Sequence, residues 1–373
     1  MAKKKETQEY VQRIHELCDA AFELDYGPAK IALLEEAVQL ADAHNDVELG
    51  YEVRQYLVDA ATFGGSPDIS LVAFAWCVAR YDEDPDSFDP EPLYWKYKWI
   101  ATAAPKFPTI SRVQIEQLLD DMYRRYVAAG IGLHPFYQTR RNAHLFMGDI
   151  PAAQKDHEQV LRHERNFMSD CIACEQDSVV RLHLETGDLA QAEAAAKPIF
   201  EKRLKCAEVP HRTYAMFLLP LLENNAAELA KAYHRSGLRL IKVQPGFLQE
   251  AARHILFLTI TDNLAAAVRL TQRYLPIYAA SRCPAWRFDF ERILAFVCQR
   301  LAQVSPSLRL RWPAHFPLPE GLDPQDYLSL AQYFRNQAQQ MAQAFDARNG
   351  NNYYHSLWTQ LDTWSQRLRP LTL

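Results

Sequence analysis

The stretch ERNFMSDCIACEQDSVVRLHLETGDLAQAEAAAKPIFEKRLK, residues 164–205, followed by CAEVPHRTYAMFLLPLLENNAAELAKAYHRSGLRLI, residues 206–241, decides the fold. In the first, Gly187-Asp188 separates two apolar-periodic runs, and Ala192 follows the glycine by five residues. Asn225 and Ala230 repeat that relation in the second. Glycine or asparagine closes a helix in the left-handed conformation, and a small side chain early in the next helix lets the two approach closely. Each stretch therefore reads as a helical hairpin.

The same relation recurs at Gly27 and Ala32, Asp68 and Ala73, Gly148 and Ala153, and Asp262 and Ala267. Successive turns lie 41, 80, 39, 38 and 37 residues apart, and because 80 is twice 40 a degenerate unit is expected near Pro108, making seven in all. On the residues FYQTRRNAHLFMGDIPAAQKDHEQVL (136–161) and DSVVRLHLETGDLAQAEAAA (177–196), the chain resembles the tetratricopeptide repeat superfamily in a divergent, bacterial-type form. The resemblance covers roughly three quarters of the chain. It implies an all-α fold: a right-handed α-solenoid of about seven hairpins over residues 1–302, closed by a C-terminal helical hairpin cap at 324–373. The interval exceeds the usual repeat of about 34 residues, and the family's bracketing aromatic and proline are mostly missing. A HEAT-like array of about 40 residues per unit is the second architecture.

Composition agrees with a helical protein. With 49% hydrophobic residues and 12 glycines in 373, a large core is possible, and β-branched runs are scarce. A net charge of −5 and a pI near 6.2 exclude general attraction to nucleic acid. No apolar run reaches roughly 18 residues and MAKKKETQEY lacks a signal peptide's hydrophobic stretch, so no membrane association and a cytoplasmic location are expected. Seven cysteines fit thiols that stay free or bind metal.

Along the chain, helices are expected at 8–24, 29–44, 47–63 and 69–81. DEDPDSFDPE (82–91) reads as a solvated acidic connector, since it lacks the glycine and terminal glutamate of a calcium loop. In PLYWKYKWI (92–100), clustered aromatics with Lys96 and Lys98 read as core with snorkelling lysines or as an exposed aromatic patch. The segment 303–323 is proline-rich, cannot be continuous helix and is expected to run extended. Helices at 325–347 and 352–368 then form the cap or a homodimer contact.

In tetratricopeptide proteins the first helices line a concave groove. The resemblance therefore implies peptide-binding positions at Gln138, Asn142, Asp177, Arg181, Arg212 and Gln249, with an ordinary solvated helix face as the alternative. The lysine-asparagine pairing of carboxylate-clamp members is absent there.

Cys171 and Cys174 point the same way on a helix, and a 38-residue offset brings Cys206 and His211 beside them at the next hairpin. Three thiolates and an imidazole at adjacent helix starts suit a structural zinc ion. The same cysteines also read as buried core, or as a thiol-disulfide pair outside its usual strand-helix setting. HExxH, phosphate-loop and GxSxG motifs are absent. The expected function is a non-enzymatic scaffold for a protein or peptide. Two alternatives are a peptide-responsive signalling regulator of the tetratricopeptide receptor type, and an enzyme using the Cys/His cluster.

Overall fold

A computed structural model describes residues 2–304 and 308–373, with side chains from residue 8 onward. The reading of 303–323 as extended thus falls at 305–307 outside the described residues. Among those described, the regular structure is entirely helical. No helix is long and apolar enough to cross a membrane. The chain divides into two compact units.

The first unit holds residues 1–104 with the short stretches 244–246 and 280–283. Its helices are α1 (Ala2–Phe22), α2 (Pro28–Ala43), α3 (Val47–Phe63), α4 (Pro67–Glu83) and α5 (Pro90–Ala103), each packed on the one before. Two turns differ from the sequence expectation. Gly27 is extended, and Ala32 is exposed beside the buried Ile31. Asp68 lies inside α4, and the left-handed residues are Asn45 and Gly65. Pro28 and Pro67 open the following helices, so Gly27 serves as the N-cap of α2, and the second reversal comes before Asp68. In α5 the lysines are buried: Lys96 pairs with Asp59 at 2.9 Å and Lys98 stands 3.3 Å over the Trp95 ring.

The second unit holds the rest. Its helices are α6 (Arg112–Ala128), α7 (His134–Met147), α8 (Ile150–Arg162), α9 (Ile172–Glu185), α10 (Leu189–Phe200), α11 (His211–Glu223), α12 (Ala227–Leu238), α13 (Leu248–Ile260), α14 (Leu264–Ala280), α15 (Pro284–Val304), α16 (Tyr327–Asn349) and α17 (Tyr353–Gln366). Here the turn signature forms as read. Gly148, Gly187, Asn225 and Asp262 all have positive φ, between 57° and 75°. Asp149 and Asp188 then cap the next helix by accepting the N–H groups of Ala152 and Gln191. Ala153, Ala192, Ala230 and Ala267 are each 0% exposed, so no larger side chain fits without displacing a neighbour.

Hairpins α7/α8, α9/α10 and α11/α12 stack through their first helices: α7 meets α9, α9 meets α11, α11 meets α13, and α13 meets α15. Leu145, Ala153 and Leu182 form one apolar cluster that joins the first two hairpins. Helix α16 packs chiefly on α15, across the proline-rich stretch. That stretch is anchored by the fully buried Leu310, whose N–H donates to Tyr327. Helix α17 contacts α15 and α16, and α17 with the residues after it passes the ends of α7, α9, α11 and α13 in order. Its bonds there include Tyr354 to the Phe146 carbonyl, Tyr353 to Glu185, Gln360 to Glu223 and the Arg369 N–H to the Ile260 carbonyl.

Candidate functional site

Two features of the second unit carry chemistry. The first is the cysteine cluster. Cys171 is the N-cap of α9, and its sulfur accepts the Cys174 N–H, which places both thiols at the positive end of the helix. Cys206 lies in the loop before α11, where its N–H donates to the Val209 carbonyl and its sulfur accepts the Glu208 N–H. The Cys174 and Cys206 sulfurs stand 3.4 Å apart, and all three sulfurs lie within 4.8 Å of one another. Thiolates about 2.3 Å from a tetrahedral ion stand roughly 3.8 Å apart, so the cluster has dimensions that could hold a metal ion. The hydrogen bond between them, more than burial, pushes the Cys174 thiol up and holds Cys206 down.

His211 does not join this group. It is the first residue of α11, its ring stacks on Phe247 at 5.2 Å, and its Nδ1 is buried without a hydrogen-bond partner. Pro210 is the N-cap of α11.

The second feature is a cavity of about 230 Å³ lined from α7, α9, α11, α13, α15 and α17. Of the six residues implied by the resemblance, it brings together Arg181 and Gln249. The other four lie elsewhere. Gln138 is 2% exposed inside α7, and neither of its side-chain polar atoms has a partner. Asn142 is half-buried beside Arg141. Asp177 is buried and accepts the Thr213 hydroxyl at 2.5 Å; burial pushes its carboxyl up to about 6 against that hydrogen bond. Arg212 lies between Glu208 at 2.7 Å and Glu250 at 3.7 Å.

Residues not singled out in the sequence complete the cavity. Gln249 donates to Asp289 at 2.6 Å, and Arg292 reaches the same carboxylate at 3.3 Å. Arg181 packs over Phe146 at 4.3 Å. Arg253 follows Gln249 by four residues, so it shares that face of α13. That spacing, matched by Asp177 and Arg181 on α9, was the available signal for Arg253. Nothing local points to Tyr353.

A buried ionic group was likewise unforeseen. His144 on α7 lies 2.7 Å from Asp156 and 3.6 Å from Glu116, with Arg140 on the same Asp156. Compared with models of known protein families and with curated protein sequences, the chain matches none.

Proposed function

We propose that this chain is a non-enzymatic binding scaffold of the tetratricopeptide type, a right-handed α-solenoid that holds a peptide segment against the inner ends of its first helices. The observation that supports it is the cavity to which α7, α9, α11, α13 and α15 all contribute. A site assembled one helix at a time from stacked hairpins suits an extended ligand. The test is the double variant Arg181→Ala with Gln249→Ala, probed on an array of random synthetic peptides. At least tenfold weaker capture with an unchanged circular dichroism spectrum is expected. Identical capture would remove this surface.

Zinc is the metal proposed for Cys171, Cys174 and Cys206, with His211 as fourth ligand through its unpartnered Nδ1 once the ring turns from Phe247. A closed site of this kind is structural and joins α9 to the start of α11. Elemental analysis of protein purified without added metal should give about one zinc per chain, lost in Cys206→Ser. A metal-free wild type leaves the cysteines as packing residues. The alternative of a peptide-responsive regulator is favoured by Tyr353 and Leu357: α17 lines the same cavity, so a ligand there would touch the C-terminal segment directly.

A further inference from the structure

The cysteine cluster supports a second chemistry that needs no metal. Cys18, Cys77, Cys283 and Cys298 are buried, Cys174 and Cys206 are half-buried, and Cys171 is exposed. A small oxidant in solution therefore reaches the cluster before it reaches any other thiol of the chain. Within the cluster one pair is in direct contact: the sulfurs of Cys174 and Cys206 stand 3.4 Å apart. A disulfide bond is about 2.05 Å long, so closing this one takes a movement of roughly 1.4 Å. The two residues sit on different supports. Cys174 is held in the first turn of α9, whereas Cys206 lies in the connection between α10 and α11, outside any helix. The approach is thus a displacement of that connection and leaves α9 in place. Cys171 is placed differently, because its sulfur caps α9 by accepting the Cys174 N–H, and a new bond to it competes with the cap.

We infer that Cys174 and Cys206 form an oxidation site, closed to a disulfide by hydrogen peroxide and reopened by a dithiol reductant. In the first step one sulfur of the pair, as thiolate, attacks an oxygen of the peroxide; the O–O bond breaks, hydroxide leaves and a sulfenic acid forms. In the second step the neighbouring thiol sulfur attacks the sulfenic sulfur, the S–O bond breaks, and the hydroxyl group departs as water with the thiol proton. The pair loses two electrons and the peroxide gains them. The bridge ties the start of α9 to the entry of α11 across 32 residues of chain, the same junction that a metal would hold. It also consumes two of the three sulfur ligands, so bridge and metal exclude one another; this exclusion alone rests on the metal reading above.

The test uses the full chain, both as purified and after dialysis against a chelator. Each sample is treated with hydrogen peroxide, alkylated, and digested with trypsin without reduction. Peptides 166–181 and 206–212 are expected joined through Cys174, with Cys171 alkylated, and dithiothreitol added before alkylation should separate them. Cys171→Ser should bridge as the wild type does, and Cys174→Ser should bridge at least tenfold less, both with unchanged circular dichroism spectra. Peroxide that leaves the two peptides separate, or that joins them through Cys171, overturns the site, and so does full bridging in Cys174→Ser. Metal released in step with the bridge supports their exclusion, and metal retained by bridged chains overturns it. A chain purified without metal removes the metal reading only, and the peptide map still decides the bridge.

Discussion

Tyr353 lies against Gly148 so closely that a Cβ built on the glycine would stand 2.3 Å from the Tyr353 side chain. Gly148 also has φ 70°, so two separate demands meet at one residue: the left-handed turn that ends α7, and the passage of the C-terminal segment over that turn. Gly187 has the first demand alone, with φ 75° and open space around it. Gly187→Ala should therefore cost only the left-handed penalty of about 1–2 kcal/mol. Gly148→Ala should add about 1–3 kcal/mol of overpacking. Urea denaturation of the two variants checks this, and equal losses would mean that α17 yields freely.

Arg348 donates to the carbonyls of Pro105, Phe107 and Ile110 at 2.7–3.1 Å, so one guanidinium closes the loop before α6. Its loss leaves the Pro105 and Ile110 carbonyls without this donor, while the Phe107 carbonyl keeps the Ile110 N–H. Arg348→Ala is expected to destabilise by at least about 2 kcal/mol, since hydrogen bonds from a charged donor are the stronger kind. Arg348→Lys should restore little, because a single ammonium cannot reproduce the fork. Thermal melts of both variants decide it; full rescue by lysine would show that charge alone matters.

Burial pulls the His144 imidazole down, but Asp156 and Glu116 together outweigh it and push it up to about 9. The folded value lies above the ordinary 6.5, so the protonated ring favours the folded state. Its contribution is fully present below about pH 6.5 and is lost as pH rises through about 9. Wild-type stability should fall across that window, and His144→Gln should flatten the fall while lowering stability at pH 6. A variant with the wild-type slope would assign the pH dependence to other groups.

If Cys171, Cys174 and Cys206 hold a metal, protons compete with it for the thiolates. Occupancy should decline on acidification and with chelators, and the melting temperature should decline with it. Paired metal analysis and calorimetry across a pH series test the link. A melting temperature indifferent to full removal of metal would mean that the junction of α9 with the start of α11 stands on packing alone.

The turns at Gly148, Gly187, Asn225 and Asp262, and the buried alanine five residues after each, were legible in the sequence. Both requirements are local: a left-handed residue ends a helix, and helical periodicity carries the next small side chain to the crossing. The pairing of Cys171 and Cys174 was local in the same way, and the hairpin offset brought Cys206 to them. The same signature placed a turn at Asp68, which lies inside α4, and at Gly27 it located the connection but not its conformation; a proline-led helix start competes with it at both. His211 followed Cys206 in sequence, yet stacking on Phe247 of the next hairpin set where its ring lies. The course of α17 was beyond sequence reasoning altogether. Tyr353 meets Glu185 across 168 residues, and Arg369 meets Asn225 across 144. Periodicity determines which face of a helix is buried, whereas the partner that covers it is decided only when distant segments pack.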